Sequence, residues 1–405
     1  MPRDHIRTRS TTVNRRQLLL TALVGAASVA GCATPTPTGV PTLVPAPTSP
    51  QTSVVPAKVI APPSPPSPTA PLSTSTVATT GTTSIIAARP TFAAPVTATA
   101  ASASGPTGSA AVASAQNTRG PGKWTNRSAV PTPRSELGAG AIGMKAYLMG
   151  GFAPDRSRVH EEYDAATDRW RSRAPVPVAC DHPGVAAIGG KVYLIGGYGA
   201  SGVLDITLEY DPATDTWRAL PPMPTRRGAL GLGVVAGKIY AVGGVGSQGG
   251  TGTNEMFDPV TEKWLPLRPM PTPRDHLAVA AVGGKLYAIG GRSDNMARNL
   301  DANEEYDPQR DTWTARRRLP TARSGIGADV LRGRIHVFGG EGPGGTFNEN
   351  EEYDPATDFW ATRAPMPTAR HGLAVVTMGD AIHVMTGGPT PGGSQIGSHE
   401  VYSPD

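Results

Sequence analysis

Six tryptophans, Trp124, Trp170, Trp217, Trp264, Trp313 and Trp360, recur at intervals of 46 to 49 residues, and a Gly-Gly pair follows each by 26 or 27 residues. The pairs are Gly150-Gly151, Gly196-Gly197, Gly243-Gly244, Gly290-Gly291, Gly339-Gly340 and Gly387-Gly388, which puts one extra residue before the last pair. A unit of this length cannot bury its own apolar face, so copies must stack, as blades of a propeller or turns of a solenoid. Within one unit, residues 277–282 and 285–291 are short apolar runs joined at Gly283-Gly284, a hairpin signal. Residues 303–308 form a third strand that ends in an Asp-Pro turn, and Trp313 starts a fourth. Six such units predict an all-β, six-bladed β-propeller over residues 121–405, with four antiparallel strands per blade.

The first strand of each unit alternates Gly138, Gly184, Gly231, Ala278, Gly327 and Ala374 with Ala139, Val185, Leu232, Val279, Ala328 and Val375. Small side chains of this kind belong where blades crowd toward a central axis. Tyr163, Tyr210, Phe257, Tyr306, Tyr353 and Tyr402 mark the third strand and are read as core between blades. The chain enters at Trp124, an outer-strand position, and leaves just after Tyr402, a third-strand position. The N-terminal strand should therefore complete the last blade and remove an exposed sheet edge.

The residues ahead of the repeats have a different composition. Asn14-Arg15-Arg16-Gln17 precedes an apolar run over 18–30 that ends at Gly31-Cys32. The run is too short for a membrane-spanning helix, which needs about 20 residues. The arginine pair resembles a twin-arginine export signal, and Val29-Ala30-Gly31-Cys32 resembles a bacterial lipobox. Residues 1–32 are thus expected to be a signal peptide, with Cys32 the lipid-bearing N-terminus of a protein on the outer face of the cytoplasmic membrane or at the cell surface. Residues 33–120 are dominated by Pro, Thr, Ser, Ala and Val and carry only Lys58, Arg89 and Arg119 as charges. Such a segment cannot offset its chain entropy by apolar burial and is read as a disordered stalk. The formal charge of +5 lies partly in the leader, which argues against nucleic acid as a partner, and a lone cysteine in the repeats, Cys180, excludes an internal disulfide there.

The double glycine, the third-strand aromatic and the spaced tryptophan together resemble the kelch repeat, in all six units. The expectation is then a monomeric kelch propeller of the exported lipoprotein type. Counting 16 residues back from each double glycine gives Arg134, Cys180, Arg227, Arg274 and Arg323, with Arg370 as the sixth counterpart. By repeat phase the five arginines should ring one mouth of the channel and attract a carboxylate, sulfate or acidic peptide. The competing role for each is a tie to a backbone carbonyl or to a glutamate of the next blade. In kelch proteins that capture acidic peptides, and in the kelch-fold sialic acid mutarotase, arginines and small polar residues at this opening contact the ligand. The resemblance accordingly implies ligand contacts at Arg134, Ser135, Arg227, Arg274, Asp275, Arg323, Ser324 and Arg370, and Asp181, His182 and His371, which stand at the same phase, join them as candidate ligand contacts.

His182, His276 and His371 fall near one phase, with Cys180, Asp181 and Asp275 beside them, a pattern that suggests imidazoles around a channel but is not diagnostic of metal. No metal or cofactor is expected. Glu136 is the one glutamate beside the ring, whereas Glu161-Glu162, Glu304-Glu305 and Glu351-Glu352 lie on third strands and read as structural. The copper chemistry of galactose oxidase, another kelch protein, is excluded because no tyrosine stands at the arginine phase. Three readings follow. The leading one is a lipid-anchored module that binds a protein or acidic glycan at the mouth. The others are a carbohydrate-active enzyme on an acidic sugar, resembling the mutarotase, and an envelope repeat protein with no discrete ligand. Long loops over 245–254, 292–303 and 341–350 favour a macromolecular partner.

Overall fold

A computed structural model describes residues 120–405 apart from Pro154. The signal peptide, Cys32 and nearly all of the stalk lie outside the described residues. Six four-stranded antiparallel sheets form the six blades, and the first comprises Gly138–Ile142, Lys145–Met149, His160–Asp164 and Arg169–Ser172. The sixth is assembled from Ala374–Met378, Ala381–Met385, His399–Ser403 and the N-terminal strand Lys123–Asn126. Lys123 pairs with Ser403 and Trp124 with Tyr402, so the two ends of the chain close the ring as the repeat phase predicts.

The tryptophans are ties between blades. Each indole N–H donates to a loop carbonyl of the preceding blade: Trp170 to Ser128, Trp217 to Ala174, Trp264 to Pro221, Trp313 to Arg268, Trp360 to Arg317 and Trp124 to Ala364, all at 2.8–3.1 Å. Each ring also tilts against the third-strand aromatic of its own blade, with Tyr163 and Trp170 centroids 5.0 Å apart and Trp124 and Tyr402 5.3 Å apart. The apolar clusters run across blade boundaries. One joins Tyr147 and Met149 of the first blade to Val192, Leu194 and Tyr210 of the second. Burying an indole while satisfying its donor combines the hydrophobic gain with one net hydrogen bond.

The double glycines form the seam between neighbouring blades. Gly197 N–H donates to the Arg227 carbonyl at 3.0 Å, and a Cβ on Gly196 would lie 2.4 Å from the same oxygen, so only glycine allows that approach. In the sixth blade this place is taken by Thr386 and Gly387, with φ of 52° and 107°, and Gly387 N–H donates to the Arg134 carbonyl. No residue is inserted there. Thr386 replaces the first glycine, accepts the left-handed backbone, and adds a hydroxyl bond to Ile396 O.

Buried imidazoles make the ring acid-sensitive. Burial holds His160, His336 and His383 down to about 4 and His399 to about 3, against an ordinary 6.5. Below pH 6.5 the unfolded chain therefore binds more protons than the folded one. Stability is complete above that value and is lost as pH falls from 6.5 toward 4. His160 and His399 occupy the place filled by Asn254, Asn303 and Asn350 in the third, fourth and fifth blades, where the amide also reaches a carbonyl. The double variant His160→Asn/His399→Asn should move the midpoint of acid unfolding down by about half a pH unit, as followed by tryptophan fluorescence. An unchanged midpoint would mean that other groups control acid unfolding.

Candidate functional site

Six residues, one per blade, close a hydrogen-bonded hoop around the axis just ahead of the inner strands. His182 N–H donates to Glu136 O, Ala229 to His182, His276 to Ala229, Gly325 to His276, Gly372 to Gly325 and Glu136 to Gly372, at 2.7–3.0 Å. All six have positive φ, from 50° at His276 to 63° at Gly325. Glycine takes this backbone freely, whereas a residue with a Cβ holds it at a cost on the order of 1 kcal/mol. The hoop nevertheless carries Glu136, His182 and His276, whose side chains turn into the mouth. Gly372 makes room for them, since a Cβ there would lie 2.6 Å from Glu136 Oε1.

Above the hoop is a cavity of about 250 Å³ lined by Ser135, Glu136, Phe152, His182, His276, Arg292, Glu341 and His371. Below it the channel opens to about 380 Å³ between small aliphatic side chains, with Asp329 and Thr377 as its polar members. Around the mouth, His182 Nε2 lies 3.3 Å from Glu136 Oε2, and His371 Nε2 lies 3.5 Å from both Glu136 Oε1 and Glu341 Oε2. Arg292 bridges Glu341 at 2.9 Å and Asp275 at 3.1 Å, and its Nη2 stands 3.0 Å from His276 Nε2. His182 Nδ1 is 2.6 Å from Asp181 Oδ1, and His276 Nδ1 contacts Asp275 in the same manner. Both rings are thereby oriented through Nδ1 with Nε2 facing the cavity.

The electrostatics follow from this crowding. Burial would raise the Glu136 carboxyl, but His182, His276, His371 and Arg292 outweigh it and hold the group below the usual carboxylate range. Burial would lower His182, yet Glu136 and Asp181 raise it above an ordinary imidazole. Burial dominates at His276 and lowers it. The mouth therefore holds an ionised carboxylate between a His182 that takes up a proton more readily than an ordinary imidazole and a His276 that does so less readily.

The arginines predicted for the mouth are elsewhere. Arg134, Arg227, Arg274, Arg323 and Arg370 are fully buried inside their own blades. Each pairs with the third-strand glutamate of that same blade: Glu161, Glu255, Glu304, Glu351 and Glu400. Each also donates to at least two carbonyls, as Arg274 does to Thr272 O at 2.8 Å and Ala288 O at 2.7 Å. In a regular extended segment the hoop residue two positions on would share the arginine's face, but its left-handed φ breaks the alternation and turns its side chain to the mouth while the arginine points into the blade. Ser324 shares this burial and lies outside the cavity lining, whereas Ser135 and His371 do line it. Asp181 and Asp275 support histidines from behind. Burial pushes the Cys180 thiol up to about 12, so it is a packing group, beside Leu208.

Arg292 and Glu341 escaped the repeat reading although a signal existed. Both directly follow a double glycine, a position held by Phe152, Tyr198, Val245, Arg292, Glu341 and Gly388 that pairs with the residue after each arginine or Cys180. That phase is the most divergent around the ring. Asp329 was missed because its inner strand is otherwise regular. Its carboxylate accepts from Val330 N at 2.7 Å and from Thr377 N at 2.6 Å, which ties the fifth blade to the sixth.

Fold and site together define a closed six-bladed propeller with an ionisable mouth at one end of its channel. The family model described as the KLHDC2/KLHL20/DRC7 Kelch-repeats domain matches residues 122–291 and 232–403, and the chain belongs to the kelch-repeat proteins. Among solved structures, that of YjhT is similar, with a TM-score of 0.60 and 19% identity over 67% of this chain and 95% of that one. At this identity the likeness concerns the fold. No curated protein matches the chain.

Proposed function

We propose that the propeller is an exported, lipid-anchored binding module that takes a polyhydroxylated ligand, a glycan or a sugar acid, in the mouth above the hoop. The observation that carries this reading is Glu136. A half-buried, ionised carboxylate is held on strained backbone between two imidazoles, inside a cavity of about 250 Å³. The cavity offers donors on Arg292 and His182 and acceptors on Glu136 and Glu341, a mixture that suits hydroxyl groups. With the five arginines committed to the blades, a carboxylate on the ligand would rely on Arg292 and His182. The Arg15-Arg16 pair and the Cys32 lipobox support export and anchoring.

The same pair of groups favours a second reading, acid–base catalysis on an acidic sugar. Carboxylate Glu136 would take the proton of an anomeric hydroxyl while imidazolium His182 protonates the ring oxygen. The ring C–O bond then breaks, its electron pair staying on oxygen, and reclosure on the other face exchanges the anomers. A glycan and sugar-acid binding screen on the full chain, with anomer exchange followed by NMR, tests both readings. Glu136→Gln should weaken binding about tenfold or more and, if exchange occurs, slow it about a hundredfold. Saturable binding untouched by Glu136→Gln would move the site to the outer loops.

A further inference from the structure

We infer that the mouth also binds one divalent transition-metal ion of the zinc class, held by Nε2 of His182, Nε2 of His276 and the Glu136 carboxylate. One donor atom from each of the three residues lies within 4.8 Å of the other two, and Nδ1 of both rings is already engaged by an aspartate. Ala229, which separates the two histidines along the hoop, presents only a methyl group, and the imidazole centroids stand 4.9 Å apart. Two imidazoles and one carboxylate form a donor set suited to borderline ions, whereas calcium or magnesium would require more oxygens.

Each ring carries the outer contact that such ligation needs. Asp181 and Asp275 accept from Nδ1 of His182 and His276, which turns Nε2 of each ring inward; an ion bound there displaces any proton that Nε2 carries. His371 is not part of this set, because its Nδ1 and Nε2 each lie 3.0 Å from a carbonyl oxygen, of Gly388 and Gly392. Arg292 Nη2 is the competitor at His276 Nε2. On metal binding it would withdraw to Asp275 and Glu341, which it already contacts. Three protein ligands leave a coordination position open toward the cavity. Ser135, whose buried hydroxyl has no hydrogen-bond partner among the described residues, lines that cavity and would bond a ligand there. The inference rests on the mouth being the binding site and adds the ion that would anchor a ligand hydroxyl or carboxylate.

The test is calorimetric titration of chelator-stripped full chain with zinc chloride, with metal content checked after dialysis. One equivalent should bind in the micromolar range or tighter. Asp275→Asn should weaken uptake about tenfold, His182→Ala and His276→Ala considerably more, and His371→Ala little. Each variant is first required to melt like the parent without zinc, and His182→Gln and His276→Gln stand in for any that does not. Absence of saturable uptake, or uptake unchanged in both histidine variants, overturns the ion. Glycan binding that persists in chelator while zinc fails to bind would remove the ion alone. Zinc uptake without any glycan binding would remove the ligand reading and leave the ion.

Discussion

Removal of residues 121–128 from the full chain is expected to destabilise the entire propeller by more than about 5 kcal/mol, with melting well below the parent and with aggregation. The deleted segment is the fourth strand of the sixth blade, where Lys123 to Asn126 pair with Ser403 to Glu400. It also carries Trp124, which packs edge-on against Phe338 at 5.7 Å and bonds the Ala364 carbonyl, joining the sixth blade to the fifth. Without it the ring opens, and His399–Ser403 becomes an unpaired edge of the kind that recruits other chains. Calorimetry and light scattering read the outcome directly. Unchanged melting would mean that the ring holds without its closing strand.

Arg323→Ala is expected to cost about 3–5 kcal/mol, because it strands Glu351 in a buried site without its counter-charge. At roughly 2–4 °C per kcal/mol, the melting point should fall by about ten degrees. The chain itself contains the control. In five blades a threonine, an arginine and a glutamate form one buried unit, with Thr321 Oγ1 donating to Glu351 Oε1 at 2.9 Å while Arg323 takes the other oxygen. In the second blade the equivalent places hold Val178, Cys180 and Leu208, so all three polar groups are replaced together. Transplanting that set as Thr321→Val/Arg323→Cys/Glu351→Leu should recover most of the stability lost in Arg323→Ala, since no charge is left unpaired. A triple variant as unstable as the single one would show that the arginine contributes through its carbonyl contacts and not through charge pairing.

The architecture was legible because it is written as a period. The tryptophan, the aromatic two strands from the axis and the double glycine each recur with one spacing, and each answers a demand made by every blade seam. A departure could still be misplaced. Thr386 reads from sequence as an inserted residue because two glycines follow it, yet its φ of 52° puts it in the first-glycine position. The candidate site was less legible. Repeat phase points to the loops that line the mouth and to Asp181, His182, Asp275 and His371, with Glu136 beside them. It does not say which side of the loop faces the axis, and so it places the arginines at the mouth together with their neighbours.

By itself, then, the sequence determined the number of blades, the closure of the ring by its first strand and the loops that surround the channel. These follow from local patterns that repeat in register. Only the tertiary structure decided that the arginines serve the blades while Glu136, His182 and His276 serve the mouth, joined there by Arg292 of the His276 blade and Glu341 of the fifth. The reason is geometric. A side chain's partner depends on the direction it leaves the backbone, and at the hoop that direction is set by a left-handed φ and by hydrogen bonds from residues about 47 positions away.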